Sequence, residues 1–421
     1  MTKSSVVFLI IISTALVNAQ SSSSESERPR VVVTNKISPA PIRITQKPSP
    51  AGTPVSPPRQ AVQPPVQNAA ADKASQASNL SYRSLSFSQI KSRIAEAKRQ
   101  MQSRPLMTSM TEPMTMLTPV RIAYYDWDER KVEYVVLSKE AFLTANSPTT
   151  VLSSNGKAMT SRTIRANGVN TPIVLTDMDG QPHLPLLIQY PVERGGKYYE
   201  TAYYMSTHPG LVTPETVTAG RLYVRNVIDI ARERLKEKGV SIQPKIADIA
   251  ERLATVEHVD HLRFRTEFHP NIYNDIFTLF ALNEGQTYRY SVSSAGAGGM
   301  VQMIPSTYRI VRSRYPNIAL MPDFVEGMRD HVNAGQAMLL YMQMTWDDLI
   351  SRPTVVGALS SGIATQEQLM SAGYNSNPAR LAGYIDRGGP AWTTLIPRET
   401  QIYLRIYESL ERAVKLDPRK N

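Results

Sequence analysis

The residues best equipped for chemistry lie between Asn283 and Thr307, where the chain reads NEGQTYRYSVSSAGAGGMVQMIPST. One acidic residue, Glu284, stands ahead of a run of small residues, Ala295-Gly296-Ala297-Gly298-Gly299, which leads into an apolar segment carrying Gln302. Small residues let backbone approach closely. A carboxyl group beside them can be walled off from water while a large ligand still reaches it, the setting in which a carboxyl acts as a general acid near neutral pH.

Such an acid needs a rigid support. The spacing of Ile272, Ile276, Leu279, Phe280 and Leu282 predicts a helix over Asn271 to Asn283, with Gly285 as its stop. Glu284 then sits at the helix C-terminus, where the negative end of the dipole disfavours ionisation. Upstream, Thr213-Pro214-Glu215 has the cap, Pro and early acid of a helix start, and that helix runs through Leu235 to stop at Lys238-Gly239. Ile246, Ile249, Ala250 and Leu253 mark another from Pro244 to about Val256. Between Pro119 and His208 the period is that of strands. Val120 to Tyr125 and Val132 to Leu137 flank a polar turn, while Pro172 to Thr176, Leu184 to Tyr190 and Tyr198 to Ser206 are joined by Asp177-Met178-Asp179-Gly180 and Glu193-Arg194-Gly195-Gly196. A small sandwich- or barrel-like β-rich domain is expected. Its Asp-x-Asp-Gly turn resembles a calcium loop without the later acidic ligands.

The first 19 residues combine Lys3, an apolar run from Val6 to Leu16 and Val17-Asn18-Ala19, the layout of a removable secretory signal. From Gln20 to about Leu80 the chain is rich in Ser, Pro, Gln and Ala, which predicts a disordered, semi-extended tether. Ser86 to Met101 reads as a short basic helix resting on the next domain, with a membrane-surface or partner role as the alternative. Met107 to Leu117 reads as an irregular lead-in. With no Cys in 421 residues, stability must come from packed cores. A net charge of +11 points to anionic surroundings. Peptidoglycan, wall polymers and membrane head groups fit, whereas nucleic acid is disfavoured by export and by the lack of a dense basic block. His258 and His261, with Glu257 and Asp260 nearby, could share a helix face and bind zinc, but their spacing is i, i+3 and not the i, i+4 of metalloproteases. A structural pair is expected, with no metal and no cofactor.

Four ordered blocks carry a family resemblance. Glu284, Ser293, Gly296, Ala297, Gly299, Gln302, Pro305 and Thr307 are in register with a motif in which Gln follows the acid by 18 residues. Asn333-Ala334-Gly335 with Tyr341, Gly373-Tyr374-Asn375 with Pro378, and Pro397-Arg398-Glu399-Thr400 with Tyr403 follow. The set resembles the soluble lytic transglycosylases, which have a lysozyme-like fold and cleave bacterial peptidoglycan. Gly285 departs from the Ser that usually follows the acid, and Val301 from the usual Met.

The resemblance implies an exported enzyme, periplasmic or associated with the cell wall, whose substrate is the glycan strand. Cell-envelope proteins are the other partners implied, through the β-rich domain. Glu284 would be catalytic. Ser293 and Gln302 would hydrogen-bond the sugar, Tyr374 and Asn375 would form the opposite wall, Glu399 would support the cleft and Tyr403 would contact the acid. Ordinary glycosidases use two carboxylates, yet positions 285 through 308 hold no Asp or Glu. In the family the muramyl C6 hydroxyl is the nucleophile. A hydrolytic muramidase using Asp323, Glu326 or Glu399, and a non-catalytic wall-binding or assembly protein, are the rivals. The expected architecture is α+β and multidomain: signal at 1–19, linker with a short helix at 20–112, β-rich domain at 113–212 and a mainly α, lysozyme-like domain at 213–421.

Overall fold

The computed structural model describes residues 84–104, 119–164, 172–194, 197–205, 208–285, 287 and 295–420. The expected signal, the Pro-rich tether, the Met107 to Leu117 lead-in and Ser293 lie outside the described residues.

The first described helix, α1 (Phe87–Ser103), starts at Ser86, whose side chain accepts from the Gln89 amide while the Gln89 side chain returns to the Ser86 amide. This reciprocal cap satisfies two amides that a helix start would leave unpaired. At the other end Arg121 donates to the carbonyls of Met101 and Arg104. Ile90, Ala97 and Met101 are fully buried against the sheet. The helix that the sequence assigned to the linker therefore shares a core with the strands.

Seven antiparallel strands follow, β1 (Pro119–Asp126), β2 (Lys131–Ser138), β3 (Pro148–Leu152), β4 (Ala158–Thr163), β5 (Ile173–Asp177), β6 (Pro182–Arg194) and β7 (Lys197–Tyr204), with a short helix α2 (Lys139–Leu143) after β2. The order is β2-β1-β6-β5-β4-β3, and β7 pairs with β6. Thirteen-residue β6 is the spine, meeting β5 with its first residues, β1 with its middle and β7 with its end. The sheet curls: Val135 of β2 bridges Ser153, just past β3, and Tyr134 and Ser154 exchange further bonds. One face buries Ile122, Tyr124, Val135, Phe142, Leu175 and Ile188, and the other packs on α1. The hairpins at 126–131 and 177–182 agree with the sequence reading. Strands β3 and β4 were not anticipated; PTTVL and AMTSRT are short, Thr-rich and half-exposed, so they lack an apolar run.

The rest is helical: α3 (Pro214–Glu237), α4 (Pro244–Val256), α5 (His261–Thr266), α6 (His269–Leu282), α7 (Pro305–Arg314), α8 (Phe324–Arg329), α9 (His331–Ile350), α10 (Pro353–Ser360), α11 (Gln366–Asn375), α12 (Leu381–Gly388) and α13 (Arg398–Ala413). Thr213 caps α3 and Gly239 ends it in the left-handed region, both as the sequence predicts. Long α3 is the axis of this region. At Gly220 it lies so close to α6 that a Cβ would fall 1.8 Å from the Phe277 carbonyl oxygen, and at Gly335 α9 approaches Ala231. Val227, Ile228, Ala231, Phe280, Met338, Leu339 and Tyr403 belong to one buried cluster. Each of the larger aliphatic and Phe side chains contributes on the order of 2 kcal/mol. Helix α6, whose end carries Glu284, is thus pressed onto the rigid centre. No described helix is long and apolar enough to cross a membrane.

Candidate active site

Helix α6 ends at Leu282 with Asn283 as its C-cap, so Glu284 does follow a helix C-terminus. The backbone then turns through Gly285 at φ +88, with open space where a side chain would begin. The Gly is required by conformation and not by crowding, since L-residues enter the left-handed region at a cost of about 1–2 kcal/mol. This is a local reason for the departure from Ser at 285.

Three contacts from distant parts of the chain fix the turn. The Gly285 amide donates to the Tyr223 hydroxyl of α3 at 2.6 Å. That oxygen also meets Nδ1 of His331, the first residue of α9, whose own amide donates to the Gly285 carbonyl at 3.3 Å. Nε2 of the same neutral imidazole accepts from the Thr287 amide at 3.2 Å and lies 3.3 Å from the Thr287 carbonyl. Burial supports this form: it pushes His331 down to about 4, and it raises Tyr223 to about 12.

The carboxyl group itself departs from the expected burial. The Glu284 side chain is 39% exposed, and its Oε2 accepts from Nζ of Lys91, on α1, at 2.7 Å. Among the described residues, the element that covers the carboxyl is the amino end of α1.

The Gly-rich turn is built differently. Gly298 and Met303 form an isolated bridge, Gly299 has φ +69 and a Cβ there would lie 2.3 Å from the Met328 carbonyl oxygen. Gln302, buried at 5%, has φ +48 and donates through Nε2 to the Gly299 carbonyl at 2.8 Å. A non-Gly residue held in this region is a strained conformation of the kind that clusters at ligand sites. Tyr374 of α11 donates to the Val301 carbonyl at 2.7 Å, and Nε2 of His258 lies 2.8 Å from the Met300 carbonyl. Asn375 accepts from Thr400 at 2.8 Å, joining the third sequence block to the fourth. Asn333 donates to Gly327 and Tyr308 and accepts from Met321, bracing the end of α8 that meets Gly299.

Gln302 and Tyr374 therefore converge on the backbone of one turn, while Asn375, next to Tyr374, is held by Thr400. Glu399, partly buried, opens α13 in its first turn. Tyr403 was expected to contact the acid, but its hydroxyl donates to Oε1 of buried Glu257 at 2.7 Å. The hydroxyl's single proton goes to the carboxylate at the end of α4, which faces α13 across the helical core. Asp323 caps α8 and Glu326 pairs with Arg329.

The His pair does not share a helix: α4 ends at Val256, and His261 begins α5. Among the described residues, one group has metal-like spacing, Asp126, Asp128 and His183 in the sheet, whose ligand atoms lie within 4.8 Å of one another. The ammonium of Lys157 already stands among these acids, 3.0 Å from Asp126 and 3.7 Å from Asp128. His183 nitrogens lie 3.7 Å from Asp126 and 3.6 Å from Asp177, within ion-pair reach but beyond hydrogen bonding. A metal there would have to displace Lys157.

Lys91, Tyr223 and His331 escaped the sequence reading. Separated from their partners by 193, 62 and 44 residues, they carry no local pattern. Only His331, two positions before Asn333, lay near a motif. No protein-family model, curated protein or solved structure matches this chain.

Proposed function

We propose that this chain is a peptidoglycan lytic transglycosylase with a lysozyme-like catalytic region, exported to act on the cell wall. The observation that carries the reading is the meeting of sequence blocks around one turn: Tyr374 of the third block holds the Val301 carbonyl of the first, and the fourth block holds Asn375. Glu284, at the end of a helix pressed onto the centre of the fold, is the one acid of the first block. In this reaction its carboxyl donates a proton to the oxygen between N-acetylmuramic acid and N-acetylglucosamine as the C1–O bond breaks. The muramyl C6 oxygen bonds to C1 and gives its proton back to the carboxylate, releasing a 1,6-anhydro end and restoring the acid. One carboxyl suffices because the nucleophile is intramolecular and needs no second group to position water.

A second reading, a non-catalytic wall-binding protein, draws on the pairing of Glu284 with Lys91. Digestion of purified peptidoglycan separates the two, since a binding protein releases no soluble muropeptides. A hydrolytic muramidase would release reducing ends in place of anhydro ends.

A further inference from the structure

Three consecutive residues at the end of α6 each touch the unit formed by α1 and the sheet. Leu282 packs on their shared core, Asn283 accepts from the Met205 amide at 3.4 Å, and Glu284 accepts from Lys91 at 2.7 Å. The contact is braced on both sides. Phe87, at the start of α1, donates its amide to Glu215 at the start of α3, and Arg329 of α8 reaches Glu200 of β7 at 3.0 Å. Lys91 follows Ile90, which is fully buried, so its backbone is fixed while its side chain stays 45% exposed and lies 5.4 Å from the Phe87 ring.

The chemistry of this contact opposes the proposed reaction. The Lys91 ammonium occupies Oε2 of Glu284 at 2.7 Å, where a glycosidic oxygen would have to meet the carboxyl. We propose that Lys91 is an autoinhibitory latch on Glu284, closed at rest and opened when an anionic glycan strand offers its own carboxylates to the ammonium. This rests on the transglycosylase reading. An exposed pair is worth up to about 1 kcal/mol, weak enough for a multivalent strand to break and strong enough to lower the resting rate. Ile90, Ala97 and Met101 are fully buried, so the docking of α1 does not depend on the exposed Lys91 pair.

The test compares full-length wild type, Lys91→Met, Lys91→Arg and Glu284→Gln in initial-rate release of soluble muropeptides from purified peptidoglycan. At low salt, Lys91→Met should raise kcat/KM by about two- to fivefold, the range an exposed pair allows, and Lys91→Arg should stay near wild type. The gain should vanish at 0.5 M salt, where exposed charges are screened. A purely structural role for Lys91 would give no salt-dependent gain. If Lys91→Met is unchanged or slower while Glu284→Gln is inactive, the latch is wrong and the enzyme reading stands. If wild type releases nothing, or Glu284→Gln stays active, the reading beneath it falls as well.

Discussion

The two ends of the 284–303 segment are held in place by opposite means. The Gly-rich end is braced largely from within, by the Gly298–Met303 bridge and by Gln302 on Gly299, with Tyr374 and His258 closing it from outside. Among the described residues, the acid end has a local bond from the Thr287 hydroxyl to the Asn283 carbonyl. Glu284, Gly285 and Thr287 depend on Lys91, Tyr223 and His331, which lie far away in sequence. A turn that must take one shape for any ligand can be encoded locally in glycines. A carboxyl just past a helix end has to be supported by whatever elements the fold brings to it, which also leaves it open to restraint by them.

Breaking the internally braced end should cost most. In Gly299→Ala the new Cβ would lie 2.3 Å from the Met328 carbonyl oxygen and the residue would keep φ +69. Overpacking and left-handed strain together predict a loss of about 3 kcal/mol or more, read as a fall in the urea midpoint. A loss below about 1 kcal/mol would mean that the turn is not close-packed.

The acid end should instead show itself in pH. His331 binds a proton only near 4 in the folded state, against 6.5 for an ordinary histidine. The unfolded chain therefore takes up the proton first as pH falls. The contribution is fully present above about pH 6.5 and is lost progressively toward 4, amounting to roughly 3 kcal/mol for this shift. His208, also pushed down to about 4 by burial, adds a similar slope at the seam between sheet and helices. Urea melts at pH 7.5 and pH 5 should show the decline, and His331→Gln should reduce it by its own share. An unchanged slope in His331→Gln would remove His331 from the account.

The smallest effect is expected at Gly285. Gly285→Ser would restore the residue usual after the acid but force it to φ +88, with no clash, at a cost of about 1–2 kcal/mol. A neutral or stabilising outcome in a chemical melt would show that the left-handed turn is not required.

The same contrast explains what the sequence made legible. Caps and stops are local, so the α3 start at Thr213, its end at Gly239 and the α4 limits could be read from three or four residues each. Hairpins with polar turns were equally open to view. Strands β3 and β4 were not, because their stability comes from neighbours on a curled sheet and not from an apolar pattern. At the site, Tyr374 is joined to the turn and Asn375 to Thr400 by bonds that a motif can hint at. The spacing of Tyr403 from Glu399 does not reveal that its hydroxyl meets Glu257. Lys91 could not be foreseen at all, because nothing in a short basic helix says which acid it will meet.

Whether Glu284 alone performs both proton transfers is read from product analysis with one variant. Mass spectrometry of peptidoglycan treated with wild type should show 1,6-anhydro muropeptides, and Glu284→Gln, folded to the same urea midpoint within about 1 kcal/mol, should show none. Reducing-end products from wild type, or anhydro products from Glu284→Gln, would contradict it.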